Sequence, residues 1–451
     1  MASVPVERLD TPAHPSLGEA LRYWFKLGWL AFGGPAGQIA MMHHELVERR
    51  RWISERRFLH ALNYCMTLPG PEAQQLATYI GWLLHGARGG IVAGTLFVLP
   101  SVLVVIVFGW IYLRFGDLPA VAGALYGIKP AVTAIVLYAA YRIGAKTLKN
   151  AWLWAIAAAA FVAIFALGLP FPVIIVAAGV LGWLGGRYVP GRFELGGGHG
   201  APSEAALIDD HHATPEHARF SRARLMRYVA IGLLAWAVPL GLLVLWQGWD
   251  GVYTKIAWFF TKAALVTFGG AYAVLPYVYQ HGVEINGWLS AHQMIDGLAL
   301  GETTPGPLIK IVTFVGLLGG WQQAGLGPDL LVLAGILGGL VATFYTYLPS
   351  FLFILIGGPL VESTRGELHF TAPLTGITAA VVGVIVNLAV FFAYHVFWPE
   401  GLDGRFEWFS AAIGVAAFIA LWRYKVGIIP VIGACAAAGL AWVFALQPLM
   451  S

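Results

Sequence analysis

Lys310 stands three residues after Pro307, and Glu302 three residues before Pro305, so both flank the turn Pro305-Gly306-Pro307. Glu72 directly follows a second turn of the same kind, Pro69-Gly70-Pro71. Lys26 and Lys262 each stand six residues before a Phe-Gly-Gly, in Phe32-Gly33-Gly34-Pro35 and Phe268-Gly269-Gly270. A fixed ammonium beside a break in a helix suits anion binding. A carboxylate there can pair with the lysine or carry a proton. Pro71 and Pro307 suit the first position of a helix, where a missing N–H costs nothing. Gly70 and Gly306 let the backbone approach a ligand closely. Helices that begin at Pro35, Pro71, Ala271 and Pro307 would aim unpaired N–H groups and positive dipole ends at an anion. The candidate substrate contacts are Gly33, Gly34, Pro35, Thr67, Pro69, Gly70, Pro71, Gly269, Gly270, Thr303, Thr304, Pro305, Gly306 and Pro307. Lys26, Lys262 and Lys310 supply fixed charge, and Glu72 and Glu302 are the coupling groups. Against this, glycine and proline also simply kink membrane helices. A lysine near a helix start can also snorkel, which fits Lys26 better than Lys310.

The elements that hold these residues are written twice. Lys26, Val47-Glu48, Trp52, Ser54, Leu62 and Thr67 recur as Lys262, Val283-Glu284, Trp288, Ser290, Leu298 and Thr303, always 236 positions later (262 − 26, 303 − 67). Leu99-Pro100-Ser101 recurs as Leu348-Pro349-Ser350, 249 positions later, so the second copy carries 13 extra residues near 321–333. The copies differ at the tips: Gln74 faces Lys310 and Met66 faces Glu302, so the site is not symmetric. Trp52 and Trp288 read as anchors at the membrane interface.

Of the 451 residues, 59% are hydrophobic and 11% charged, with a mean hydropathy of +0.73. A soluble globular chain carries roughly a quarter charged residues, so the solvent here is a bilayer. Apolar runs at 91–113, 120–141, 228–246, 330–356 and 373–397 are long enough to span it. Lys129 interrupts one of them. Charge at that depth is costly and marks a pathway or a partner. Cys65 and Cys435 sit in apolar context and read as buried small side chains. The basic residues cluster in loops and make no nucleic-acid footprint.

The predicted fold is an all-α polytopic membrane protein built of two inverted-topology repeats with broken or re-entrant helices. Residues 1–16 form a surface segment without a signal-peptide pattern, and 17–186 the first membrane repeat. Residues 187–224 form a polar linker, 225–250 a linking span and 251–451 the second repeat. His199, His211, His212 and His217 of the linker lack a closed ligand set and read as a solvated tract. If both Phe-Gly-Gly and Pro-Gly-Pro segments are re-entrant, the basic turn at 49–57, Arg88, Arg142, Lys146, Lys149 and Arg219–Arg227 fall on one side. The copy of that turn, 281–292, has no Lys or Arg, as a loop on the outer side should. Arg365, Arg423 and Lys425 return to the inner side, while Arg114, Lys255 and Arg405 break the pattern. Counting every apolar segment as a span gives about thirteen crossings and fits the charges less well.

Phe32-Gly33-Gly34-Pro35, Glu45, Arg49–Trp52, Leu68-Pro69-Gly70-Pro71 with Gln75, and Phe97–Pro100 resemble the chromate ion transporter (CHR, ChrA-type) family. Phe268-Gly269-Gly270 and Thr304-Pro305-Gly306-Pro307 resemble the C-terminal domain of its long, two-domain members. The resemblance covers nearly the whole chain outside the linker. It implies export of chromate across the bacterial inner membrane, driven by the proton-motive force or by anion exchange. Sulfate enters as a competing or exchanged anion, and membrane lipid and a second copy of the chain as further partners. Spacing and composition alone support only an anion, and a carrier of sulfate or another oxyanion is the alternative. A membrane-embedded enzyme is the rival from another class. It would need a metal or catalytic cluster at membrane depth, and His43-His44-Glu45 lacks the second spaced histidine of a zinc helix. No cofactor and no metal is expected.

Overall fold

Glycines, prolines and capping serines set the helix ends. The computed structural model describes residues 12–31, 34–116, 118–193, 206–209, 215–268, 270–363 and 371–446. Phe32, Gly33, Gly269, His199, His211, His212 and Arg365 lie outside the described residues.

The first copy opens with α1 (Leu17–Leu30), whose cap Ser16 accepts the Glu19 N–H. α2 (Gly34–His43) follows the Phe-Gly-Gly and runs into a π turn, His44–Arg49. α3 (Glu55–Thr67) is capped by Ser54 and ends at the Pro-Gly-Pro. α4 (Glu72–Phe115) leaves that turn and folds back on itself at His85-Gly86, where Gly86 takes φ 63°. α5 (Pro119–Thr147), α6 (Ala151–Phe165) and α7 (Phe171–Tyr188) complete the copy. α8 (Arg222–Gln247) links it to the second.

The second copy repeats the order with α9 (Val252–Val266), α10 (Ala271–Tyr279) with a π turn Gln280–Ile285, and α11 (Ala291–Thr303). Ser290 and Gln293 close a capping box on α11, so the duplicated serines both start helices. A short 3₁₀ turn, Leu308–Lys310, leads into α12 (Ile311–Gln322) and α13 (Leu331–Ser363). The extra residues of this copy form the longer turn between these two helices, where the first copy bends at His85-Gly86. α14 (Thr371–Phe397), α15 (Trp408–Trp422) and α16 (Ile428–Ala441) end the chain.

Among the described residues seven helical stretches are long and apolar enough to cross a membrane: Glu72–Phe115, Pro119–Thr147, Phe171–Tyr188, Arg222–Gln247, Pro328–Glu362, Ala372–Phe397 and Ile428–Ala445. The chain is a multi-pass, all-α membrane protein. α1, α3, α9 and α11 have 14, 13, 15 and 13 residues. At 1.5 Å per residue they reach about 20–23 Å, short of a hydrocarbon core of about 30 Å. These lengths suit hairpins that enter the bilayer and return.

The copies are interlocked. α14 packs against α6 and α7, and its counterpart α5 against α15 and α16. Gly376 of α14 lies on the backbone of Ala178 and Gly182, and Gly127 of α5 on that of Cys435 and Gly439. Each terminal hairpin is thus seated on the other copy. Close approach through small residues is how membrane helices gain packing energy without a hydrophobic drive.

Two expectations are corrected here. Trp52 and Trp288 are not interfacial anchors but are buried, at 3% and 1% exposure. Their N–H groups close equivalent turns onto Leu46 O (2.8 Å) and Gly282 O (2.7 Å), which draws both rings inward. Arg57 does not belong to a solvated basic turn. It is buried and donates to the Glu362 carboxylate at 2.6 Å.

Candidate substrate site at the crossed helix tips

Each Pro-Gly-Pro tip is tied to the other copy. The Gly70 N–H donates to Thr267 O, at the end of α9, and the Gly306 N–H to Ala31 O, at the end of α1, both at 2.7 Å. These pairs are equivalent under the 236-residue offset, so the tips cross about a pseudo-twofold axis. The side-chain neighbours are equivalent too. A Cβ on Gly70 would meet Ser350 Oγ, and one on Gly306 would meet the side chain of Ser101. Gly70 (φ 122°) and Gly306 (φ 91°) occupy backbone that other residues avoid. The close approach expected of these glycines is therefore to serines of the opposite copy. Free room lies instead at Gly34 and Gly270, the starts of α2 and α10, where an added Cβ would meet nothing within 4 Å.

Lys310 is fully buried. Its ammonium donates to Thr304 O and Pro305 O at 2.6 Å and to Gly306 O at 3.4 Å, so all three N–H bonds point at the tip. These carbonyls belong to the cap of α11 and the turn that follows it, and would otherwise turn negative potential toward an anion. In the first copy Gln75 does the same work without charge, donating to Pro69 O at 2.7 Å. The positive charge is therefore confined to one tip. No ion pair joins Lys310 to Glu302. The Glu302 carboxylate instead accepts the Tyr272 hydroxyl, from the first turn of α10. Glu72, at the start of α4, makes no hydrogen bond or ion pair among the described residues.

The other predicted residues are placed as follows. Thr67, Thr303 and Thr304 donate their hydroxyls back to Tyr64 O, Leu300 O and Gly301 O of their own helices. Lys26 lies on the exposed face of α1, and Lys262 stands 5.9 Å over the Trp258 ring. Neither is brought to the tips. Pro35 lies in the first turn of α2, Pro71 and Pro307 stand just before the helical residues rather than at their first position, and Pro69 precedes Gly70 in its turn.

Sequence reasoning missed two buried polar clamps between the copies. Arg57 of α3 and Tyr79 of α4 both hold Glu362 of α13, at 2.6 and 2.5 Å. Asp296 of α11 accepts Tyr112 of α4 at 2.9 Å and pairs with Lys129 of α5 at 3.3 Å. The clamps occupy neighbouring positions in the repeat: Arg57 corresponds to Gln293, three residues before Asp296, and Glu362 to Leu113, next to Tyr112. A lone Asp296 in a helix with an apolar buried face, and Lys129 in an apolar run, were the available signals. Outside the spans, burial works against the charge on Glu45. Hydrogen bonds from Arg50 and Arg49 outweigh it and hold the carboxyl below its ordinary range.

Residues 18–183 and 254–440 match the family described as chromate transporter. The chain belongs to the chromate transporter family. The two matched blocks are the two copies, with the linker and α8 between them. Within the family, the chain is 33% identical over 436 residues to the chromate transport protein of Pseudomonas aeruginosa, covering 95% of this chain and 93% of that one. It is 29% identical to the probable chromate transport protein of Synechococcus elongatus, covering 91% of each. It is also 29% identical to the chromate transport protein of Cupriavidus metallidurans, over 84% of this chain and 83% of that one. No solved structure matches the chain.

Proposed function

We propose that this chain is a secondary transporter that exports chromate across the bacterial inner membrane at the crossed tips, leaving the anion chemically unchanged. Support comes from membership of the chromate transporter family and from the reciprocal Gly70–Thr267 and Gly306–Ala31 bonds, which join each Pro-Gly-Pro turn to the break between two helices of the other copy. Each helix start offers partial charge equivalent to about half an elementary charge. Lys310 adds a formal charge and masks the carbonyls that would repel a dianion. The anion meets the open N-terminal ends at Gly34 and Gly270, with Gly33 and Gly269 beside them. Glu302, held by Tyr272, and Glu72 are the groups that carry coupling protons. Sulfate has the same charge and shape and competes for the same site.

Proteoliposomes carrying the full chain test this with radiolabelled chromate, with and without a pH gradient. The expected result is gradient-dependent chromate flux that unlabelled sulfate inhibits. Lys310→Met should lower flux at least about tenfold, since a buried charge-assisted bond is worth roughly 1.5–3 kcal/mol. Unchanged flux in that variant would remove Lys310 from the site, and flux indifferent to the pH gradient would remove proton coupling.

A further inference from the structure

A cleft of about 560 Å³ lies between α4, α8 and α13, and α4 and α13 are the helices whose Ser101 and Ser350 meet the crossed tips. Its walls are apolar, with Ile91 and Leu99 from α4, Ile231 and Ala235 from α8, and Leu340 and Phe344 from α13. α8 stands loosely against the bundle: only Gly232 and Leu240 of its 26 residues are buried. The cleft therefore opens sideways into whatever surrounds the protein, which at this depth is hydrocarbon. Its α4 wall runs from Ile91 to Val102. Eleven residues of helix rise make about 16 Å, and one leaflet of a bilayer core is about 15 Å deep. The dimensions are those of a single acyl chain.

One end of the cleft is basic. A smaller apolar notch continues from Leu355 to Phe220, Leu225 and Tyr228 at the start of α8. Arg222 and Arg227 are exposed beside it, and Arg227 stands 5.6 Å from the Tyr228 ring centroid. Gly86 of α4 lies against His217, which sets exposed Arg88 at the same end. None of the three arginines has a carboxylate partner among the described residues. Their neighbour Arg224 is engaged, donating to Glu216 O, His217 O and Arg219 O. A slot one leaflet deep with free cations at its mouth complements a lipid with net negative charge on its headgroup. A second copy packed here about an axis along the membrane normal would set its own arginines against these at the same depth.

We infer that α4, α8 and α13 form a binding site for an anionic phospholipid, with one acyl chain in the cleft and its phosphate on Arg222 and Arg227. The lipid would brace the one span that links the two copies.

Native mass spectrometry of the full chain, equilibrated with an equimolar mixture of phosphatidylglycerol and phosphatidylethanolamine, tests this. The expected spectrum shows retained lipid that is predominantly phosphatidylglycerol. Arg222→Gln and Arg227→Gln should each lower its retention about fivefold. Thr95→Trp fills the cleft from its exposed side and leaves both arginines in place, and it should lower retention of both lipids. Equal retention of the two lipids, or unchanged retention in the double arginine variant, overturns the site. A lipid-free dimer whose formation Thr95→Trp abolishes would assign the cleft to a second copy and overturn it too.

Discussion

At the scale of single residues, three buried or half-buried charges each meet a hydrogen-bonding partner. Lys310 meets carbonyls, Glu302 a phenol, Arg57 a carboxylate and a tyrosine with it. Arg57 and Glu362 are both nearly inaccessible, at 3% and 1% side-chain exposure. Removing one partner strands the other charge, which costs about 3–5 kcal/mol, whereas replacing both with apolar groups of like volume is close to neutral. Arg57→Met alone should therefore lower the thermal unfolding midpoint sharply, and Arg57→Met with Glu362→Leu should recover most of it. A double variant as unstable as the single one would show that the charges do more than satisfy each other. Position was readable in the sequence for Lys310, beside its duplicated turn. For Arg57 it was not, because an arginine in a run of five reads as solvated until the fold brings Glu362 to it.

At the scale of helices, the breaks were legible and their partners were not. The Phe-Gly-Gly and Pro-Gly-Pro segments end helices for local reasons, namely positive φ at glycine and the missing N–H of proline, so the sequence alone locates them. Which carbonyl a tip donates to is a non-local fact, fixed by how the two copies cross. The assignment of Gly70 and Gly306 as open contacts for an anion missed this, since an opposing serine leaves the same requirement for glycine. Gly306→Val should consequently impair assembly as well as transport. The expected outcome is a lower yield of monodisperse protein and a lower melting temperature, and Ser101→Gly should restore only part of it because φ stays at 91°. Full rescue by Ser101→Gly would mean that backbone strain at Gly306 is negligible.

At the scale of the molecule, the reciprocal bonds make the two halves one unit, and we propose that α8, crossing once between them, sets them in opposite orientation. Glu48 and Glu284 are equivalent and both exposed, on the basic turn and on its copy without Lys or Arg. Cys65 and Cys435 are buried, so cysteines placed at 48 and 284 report alone. An impermeant thiol reagent added to intact cells should label Glu284→Cys and spare Glu48→Cys. Labelling of both from one side would end the inverted arrangement. The crossing of the tips also has a bearing on synthesis. Gly70 leaves the ribosome 197 residues ahead of Thr267, the carbonyl it will bond (267 − 70). At translation rates of about 5–20 residues per second, the first tip waits roughly 10–40 s in the membrane with its N–H unmatched. Over that interval the nascent first half is an unfinished client of the insertion machinery, and a chain released at the linker would carry that open tip for its whole lifetime.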